Sequence, residues 1–185
     1  MFHRDYITHT NITVEELQAC GLMLHADIRR MKMIINKESV IKPLPSEDLL
    51  LLKEERWRVK LPMDYRDFVK NFNGGVPMKK QFICNDKLYE IRRFLCVLKN
   101  VEESEFEINV VRTDIGNYLA YDREQIGVGI FPIAALTRED YVCLDYRKSK
   151  DTPTVCVWDY MASEPYDPVT FHIAETFTEF CMLLQ

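Results

Sequence analysis

The chain has 185 residues, 47% of them hydrophobic and 29% charged, which suits one globular domain with a full core and room for an appendage. No run approaches the roughly 18 apolar residues of a membrane span. The net charge of −5 is uneven, because residues 101–185 hold 16 acidic and six basic side chains. An acidic half of this kind opposes phosphate backbones, and it either keeps the surface soluble or attracts a basic partner.

The N-terminus, MFHRDYITHTNIT, lacks an apolar stretch after a basic start, so no export signal and a cytoplasmic location are expected. Thr13 and Glu16 have capping-box spacing, and Val14, Leu17, Gly21, Leu24, Ile28, Met31 and Ile35 follow at threes and fours. This predicts a helix whose stripe packs on its own domain or meets a partner. Pro43 and Pro45 break the chain, and Ser46 caps a second helix. Leu49, Leu50, Leu52 and Trp57 form its apolar side, and Lys53, Glu54, Glu55 and Arg56 its wet side.

The next stretch, LPMDYRDFVKNFNGG from Leu61 to Gly75, gives a short amphipathic helix. Pro62 fits the first helical position, and Asp64 lies in the first turn against the positive helix end. Tyr65, Phe68, Val69 and Phe72 make one apolar stripe, and Asn73-Gly74-Gly75 stops the helix.

Strands follow. Phe82-Ile83-Cys84 is short, Asn85-Asp86-Lys87 reads as a turn, and Tyr89 to Leu98 alternates in part. Glu102, Glu103, Glu105 and Glu107 then surround Phe106. Such a cluster is either a hydrated strand edge or, with Phe106 exposed as an apolar anchor, a patch that binds protein. Asp122, Glu124, Glu139 and Asp140 are the next acidic candidates for the same contact. Asp114 to Ile126 is read as helical; Val128 to Ala134, Tyr141 to Tyr146 and Thr154 to Tyr160 as strands; and Ala162 to Val169 as a loop. Thr176 and Glu179 repeat the capping-box spacing ahead of Phe177, Phe180, Cys181 and Leu184.

Little of this points to catalysis. The four histidines have no metal-ligand spacing, so no metal or cofactor is expected. Six scattered cysteines, without a C-x-x-C pair, read as buried reduced thiols. Asp145 and Asp159 lie near strand ends, either as paired catalytic carboxylates or, more plainly, as turn-forming residues. Gly127 and Gly129 do not make a phosphate loop. The basic stretch from Lys79 to Lys99 is too sparse for a nucleic-acid backbone.

The Leu61–Gly75 stretch resembles the signature of the SUKH superfamily, which includes bacterial immunity proteins and a fungal regulator of cell-wall assembly. Ile130-Phe131-Pro132-Ile133-Ala134, Tyr141-Val142-Cys143-Leu144-Asp145, Val155-Cys156-Val157-Trp158-Asp159 and Ala174 to Phe180 agree with it in order. The resemblance makes Leu61, Pro62, Tyr65, Phe68, Asn73, Gly74, Gly75, Pro132, Asp145 and Trp158 structural motif residues. One departure is Thr137-Arg138-Glu139-Asp140, which stands where the family often has a Gly-containing turn. The expectation is an α+β domain over residues 44–185, a mainly antiparallel sheet from the middle of the chain with helices at both ends, after a helical extension over residues 1–43. The resemblance implies a non-catalytic module that binds a basic protein through its acidic surface. Two partners stay open: a cognate toxin, or a housekeeping protein of the cell-wall-synthesis type.

Overall fold

The computed structural model describes residues 35–119 and 129–185. Helix α1 (Glu47–Trp57) and helix α2 (Met63–Phe72) follow the short strand β1 (Ile35–Asn36). Strands β2 (Val76–Pro77), β3 (Gln81–Cys84) and β4 (Lys87–Phe94) come next, then helix α3 (Ile108–Leu119). The chain ends with β5 (Ile130–Leu136), β6 (Tyr141–Asp145), β7 (Thr154–Trp158), β8 (Thr170–Ala174) and helix α4 (Phe177–Met182). β3 to β8 form one six-stranded antiparallel sheet in sequence order, and β1 pairs with β2 separately. The α+β architecture read from the sequence is the one observed.

Helix α2 carries the packing. Tyr65, Phe68, Val69 and Phe72 are all buried, and Phe68 meets Phe94 of β4 and Phe177 of α4 at ring-centroid distances of 4.6 and 5.0 Å. Pro62 is the N-cap, one position before its expected place. Gly74 has φ +65°, and a Cβ there would lie 2.9 Å from the Cys96 Cβ, which cannot swing aside. Both the backbone sign and the close approach therefore require glycine.

Opposite edges of the sheet approach each other. The Sγ of Cys84 on β3 lies 3.6 Å from the carbonyl oxygen of His172 on β8, and Lys87 pairs with Asp159 at 2.9 Å. Strand twist, accumulated over six strands, produces this curl. β5 is buried along its whole length, so both of its faces are covered.

Several expectations change. Most of the helix expected from Val14 to Ile35 lies outside the described residues, but Ile35 itself is a buried strand residue opposite Pro77. Residues 35–41 also belong to the packed body, because the Ile41 amide donates to the Asn73 carbonyl and Val76 N–H to Ser39 Oγ. The helix expected from Asp114 begins earlier, at Ile108. β8 is an additional strand that no apolar run in the sequence marks. On α1, Leu52 is exposed, whereas Lys53 and Glu54 are buried. Glu54 accepts from the Leu61 amide and, with Glu47, pairs with Arg66, fixing the bend between α1 and α2.

Candidate functional site

The acidic segment joins β4 to α3. A 3-10 turn over Val101–Glu103 exposes Glu102 and Glu103, and Asn100 Nδ2 donates to Glu103 Oε1 at 2.9 Å. Glu105 is also exposed, with its Oε1 3.5 Å from Arg92 Nη2. Phe106 is half-buried, because the Arg92 and Arg93 guanidinium groups lie over its ring at 4.8 and 5.3 Å. The chain's own cations therefore cover most of the anchor expected to stand free.

Glu107 does not belong to this surface. It is wholly buried, its Oε1 pairs with Lys53 Nζ at 2.8 Å, and its Oε2 accepts from the Asn109 amide at the start of α3. A carboxylate fits there because it satisfies free amides at the positive end of a helix, with a cation beside it. Asn109 Oδ1 also accepts from the indole of Trp57, so α1 and α3 are joined through one polar network.

Asp140 is a second correction. It is buried and accepts from the Tyr160 amide at 2.8 Å. Burial pushes its pKa up against the opposing effect of that bond. Its neighbour Glu139 is exposed and holds φ +64°, taking the left-handed turn position itself. Asp122 and Glu124 lie outside the described residues.

Eight of the ten motif residues are buried, Pro62 and Asp145 being the partly exposed ones. Asn73 is wholly buried: its Oδ1 accepts from Val97 N at 2.8 Å and its Nδ2 donates to Val97 O at 3.1 Å, so the side chain imitates a paired strand residue. Leu61 and Trp158 are core residues, and Pro132 lies within β5 opposite Cys143. Asp145 accepts twice from the Arg147 side chain. Burial raises its pKa, but the Arg147 bonds outweigh that and hold the carboxyl below its usual range.

Asp145 and Asp159 are not a paired acid and base, since each has its own cation. The five described cysteines are buried free thiols, and burial pushes Cys96 up to about 11 and Cys156 up to about 12. Thiols this hard to ionise make poor nucleophiles. Among the described residues, no group of three or more His, Cys, Asp or Glu side chains is placed to hold a metal, and none of the helices is long and apolar enough to cross a membrane.

One feature of the surface is not evident from the sequence. Tyr118 on α3, Tyr141 on β6 and Tyr160 just beyond β7 gather around Trp158. The helical reading of Asp114 to Ile126 carries Tyr118 and is the one signal of it, because the other contacts depend on strand register.

A crystal structure of a protein from Pseudomonas syringae pv. tomato is similar, at 20% identity over 76% of this chain and 87% of that one, with a TM-score of 0.48. No curated protein matches the chain. The family model described as SMI1-KNR4 cell-wall (SUKH_6) matches residues 47–181, which include the motif helix, the acidic loop and the whole six-stranded sheet. The chain therefore belongs to the SMI1-KNR4 family of the SUKH superfamily.

Proposed function

We propose that this domain is a non-catalytic protein-binding module of the cytoplasm, an immunity protein that neutralises a cognate basic toxin. The observation that carries the reading is the presentation of Glu102 and Glu103. Both are exposed on a turn whose far end is fixed by the buried Lys53–Glu107 pair, and neither has an ion-pair partner among the described residues. A preorganised acidic loop speeds encounter with a basic face and fixes its register. The domain would act by covering the surface with which the toxin meets its substrate.

The test is coproduction with a toxin-like protein encoded directly upstream. The expected result is a stable complex whose association slows as salt rises. Absence of a complex, or association indifferent to salt, rejects the reading. A second reading is supported by the description of the matching family: a regulatory or scaffold module that binds a housekeeping partner of the cell-wall-synthesis type. It forecasts weak binding to several proteins, where immunity forecasts tight and selective binding to one.

A further inference from the structure

The acidic loop is not the part of the surface richest in aromatic side chains. Tyr118 on α3, Tyr141 at the start of β6 and Tyr160 just beyond β7 are all half-buried around Trp158. The Trp158 ring lies 6.0 Å from Tyr141, stacked, and 5.9 Å from Tyr160, edge-on. The hydroxyls of Tyr118 and Tyr160 are 2.7 Å apart. Within this cluster the Trp158 indole is wholly buried, and its Nε1–H has no hydrogen-bond partner.

Two carboxylates edge the cluster. Asp114 lies one turn before Tyr118 on the same side of α3, and Glu139 stands two residues before Tyr141 in the β5–β6 turn. Both are exposed, and neither is held by an ion pair among the described residues. Burial raises the pKa of the Tyr141 phenol, and the charges of Asp114 and Glu139 add to the rise while Arg92 opposes it. Both carboxylates thus lie within electrostatic reach of that phenol.

Tyrosine rings beside carboxylates suit a flat cation. An arginine guanidinium stacks on an aromatic face, is weakly hydrated, and still bonds carboxylate oxygens in its plane. Tyrosine also gives large contact area while losing little side-chain freedom, which is why it is common among binding anchors. The protein uses the same pairing within itself, with Arg112 5.2 Å from the centre of the Phe131 ring.

We propose that Tyr118, Tyr141 and Tyr160, with Asp114 and Glu139 at their edge, take up an arginine side chain of the partner protein. The contact rests on the reading of a basic partner, and it adds the anchor that the covered Phe106 does not supply.

The test is an NMR titration of the full chain with the peptide acetyl-Gly-Arg-Gly-amide and with its neutral citrulline counterpart. The arginine peptide is expected to shift the Trp158 indole N–H and the amides of Tyr141 and Tyr160, with a dissociation constant on the order of millimolar. Citrulline should bind about fivefold more weakly, as loss of an exposed cation–π contact implies. Asp114→Asn with Glu139→Gln should weaken the arginine peptide by about the same factor without moving the melting temperature. Equal binding of the two peptides, or of the double variant and the parent, overturns the contact. If the peptide shifts only Glu102 and Glu103, the tyrosine contact fails while the acidic-loop reading stands. If it shifts nothing, the contact fails, and the loop is still judged by the salt dependence of the toxin complex.

Discussion

Two corners of the molecule reverse the chain, and they treat polar groups in opposite ways. At Asn73–Gly75, every group is turned inward: the Asn73 side chain pairs with Val97, its carbonyl accepts from Ile41, and Gly74 leaves no room for a Cβ. At Val101–Glu107 the corner is divided. Glu107 is sealed against Lys53, while Glu102 and Glu103, five and four residues earlier, face water. The first corner can only hold the fold together. The second holds one end and leaves the other in water, so identical side chains within one short loop meet opposite surroundings.

The widest separation between the corners should appear in the core beneath the first. Phe68 is about 1% exposed and contacts the rings of Tyr65, Phe72, Phe94 and Phe177. Phe68→Ala should cost roughly 3–5 kcal/mol in chemical denaturation, as buried aromatic truncations do. A loss below about 1 kcal/mol would mean that the α2 stripe is not the centre of the core.

The sealed half of the second corner comes next. Lys53→Met leaves the Glu107 carboxylate buried without its cation, and should cost about 3 kcal/mol. Adding Glu107→Gln should restore part of that loss, because the amide oxygen still accepts from Asn109 N–H and no charge is left uncompensated. If the double variant is no more stable than Lys53→Met alone, the network contributes through shape and not charge.

These two sites also show what the sequence could and could not reveal. The α2 stripe was legible because four apolar residues repeat at helical spacing, a local pattern that needs no partner. Asn73-Gly74-Gly75 was legible as a stop, although its pairing with Val97 was not. Glu107 was misread because its neighbours in sequence are acidic, whereas its fate is set by Lys53, 54 residues away. Its charged neighbours likewise put Lys53 on the wet side of α1, although Glu107 holds it buried. β8 escaped notice because only Ala174 of its five residues is buried, so no apolar run marks it. The tyrosine cluster depends on the register Tyr141 opposite Trp158, which no periodicity encodes.

A smaller effect tests the ion pair at the end of β6. Arg147 holds the Asp145 carboxyl below its usual range, so the folded state binds that proton less readily than the unfolded chain does. The stabilisation is therefore complete above the ordinary aspartate range of about 4, and is lost as pH falls through the lower folded value. Denaturation midpoints measured at pH 7 and near pH 3 should converge less for the parent than for Asp145→Asn. Asp64 and Asp140 work in the opposite sense, since burial raises both, so the variant must be compared with its own parent. Identical acid sensitivity of parent and variant would remove Asp145 from the account.

The smallest expected change in stability is the one that bears on function. Reversing Glu102 and Glu103 to Lys should shift stability by no more than about 0.5 kcal/mol, because both side chains face water and neither is held by an ion pair among the described residues. The same double reversal should slow association with a basic partner and flatten its dependence on salt, while dissociation changes little, since rim charges act mainly on encounter. Glu105 is the weaker choice for this variant, because Arg92 already lies 3.5 Å from it and a lysine there would also disturb the packing on Phe106. Stopped-flow kinetics at two salt concentrations separates the outcomes. Unchanged association with lowered solubility would reduce the loop to a hydrated edge, and the two halves of the second corner would then differ in burial alone.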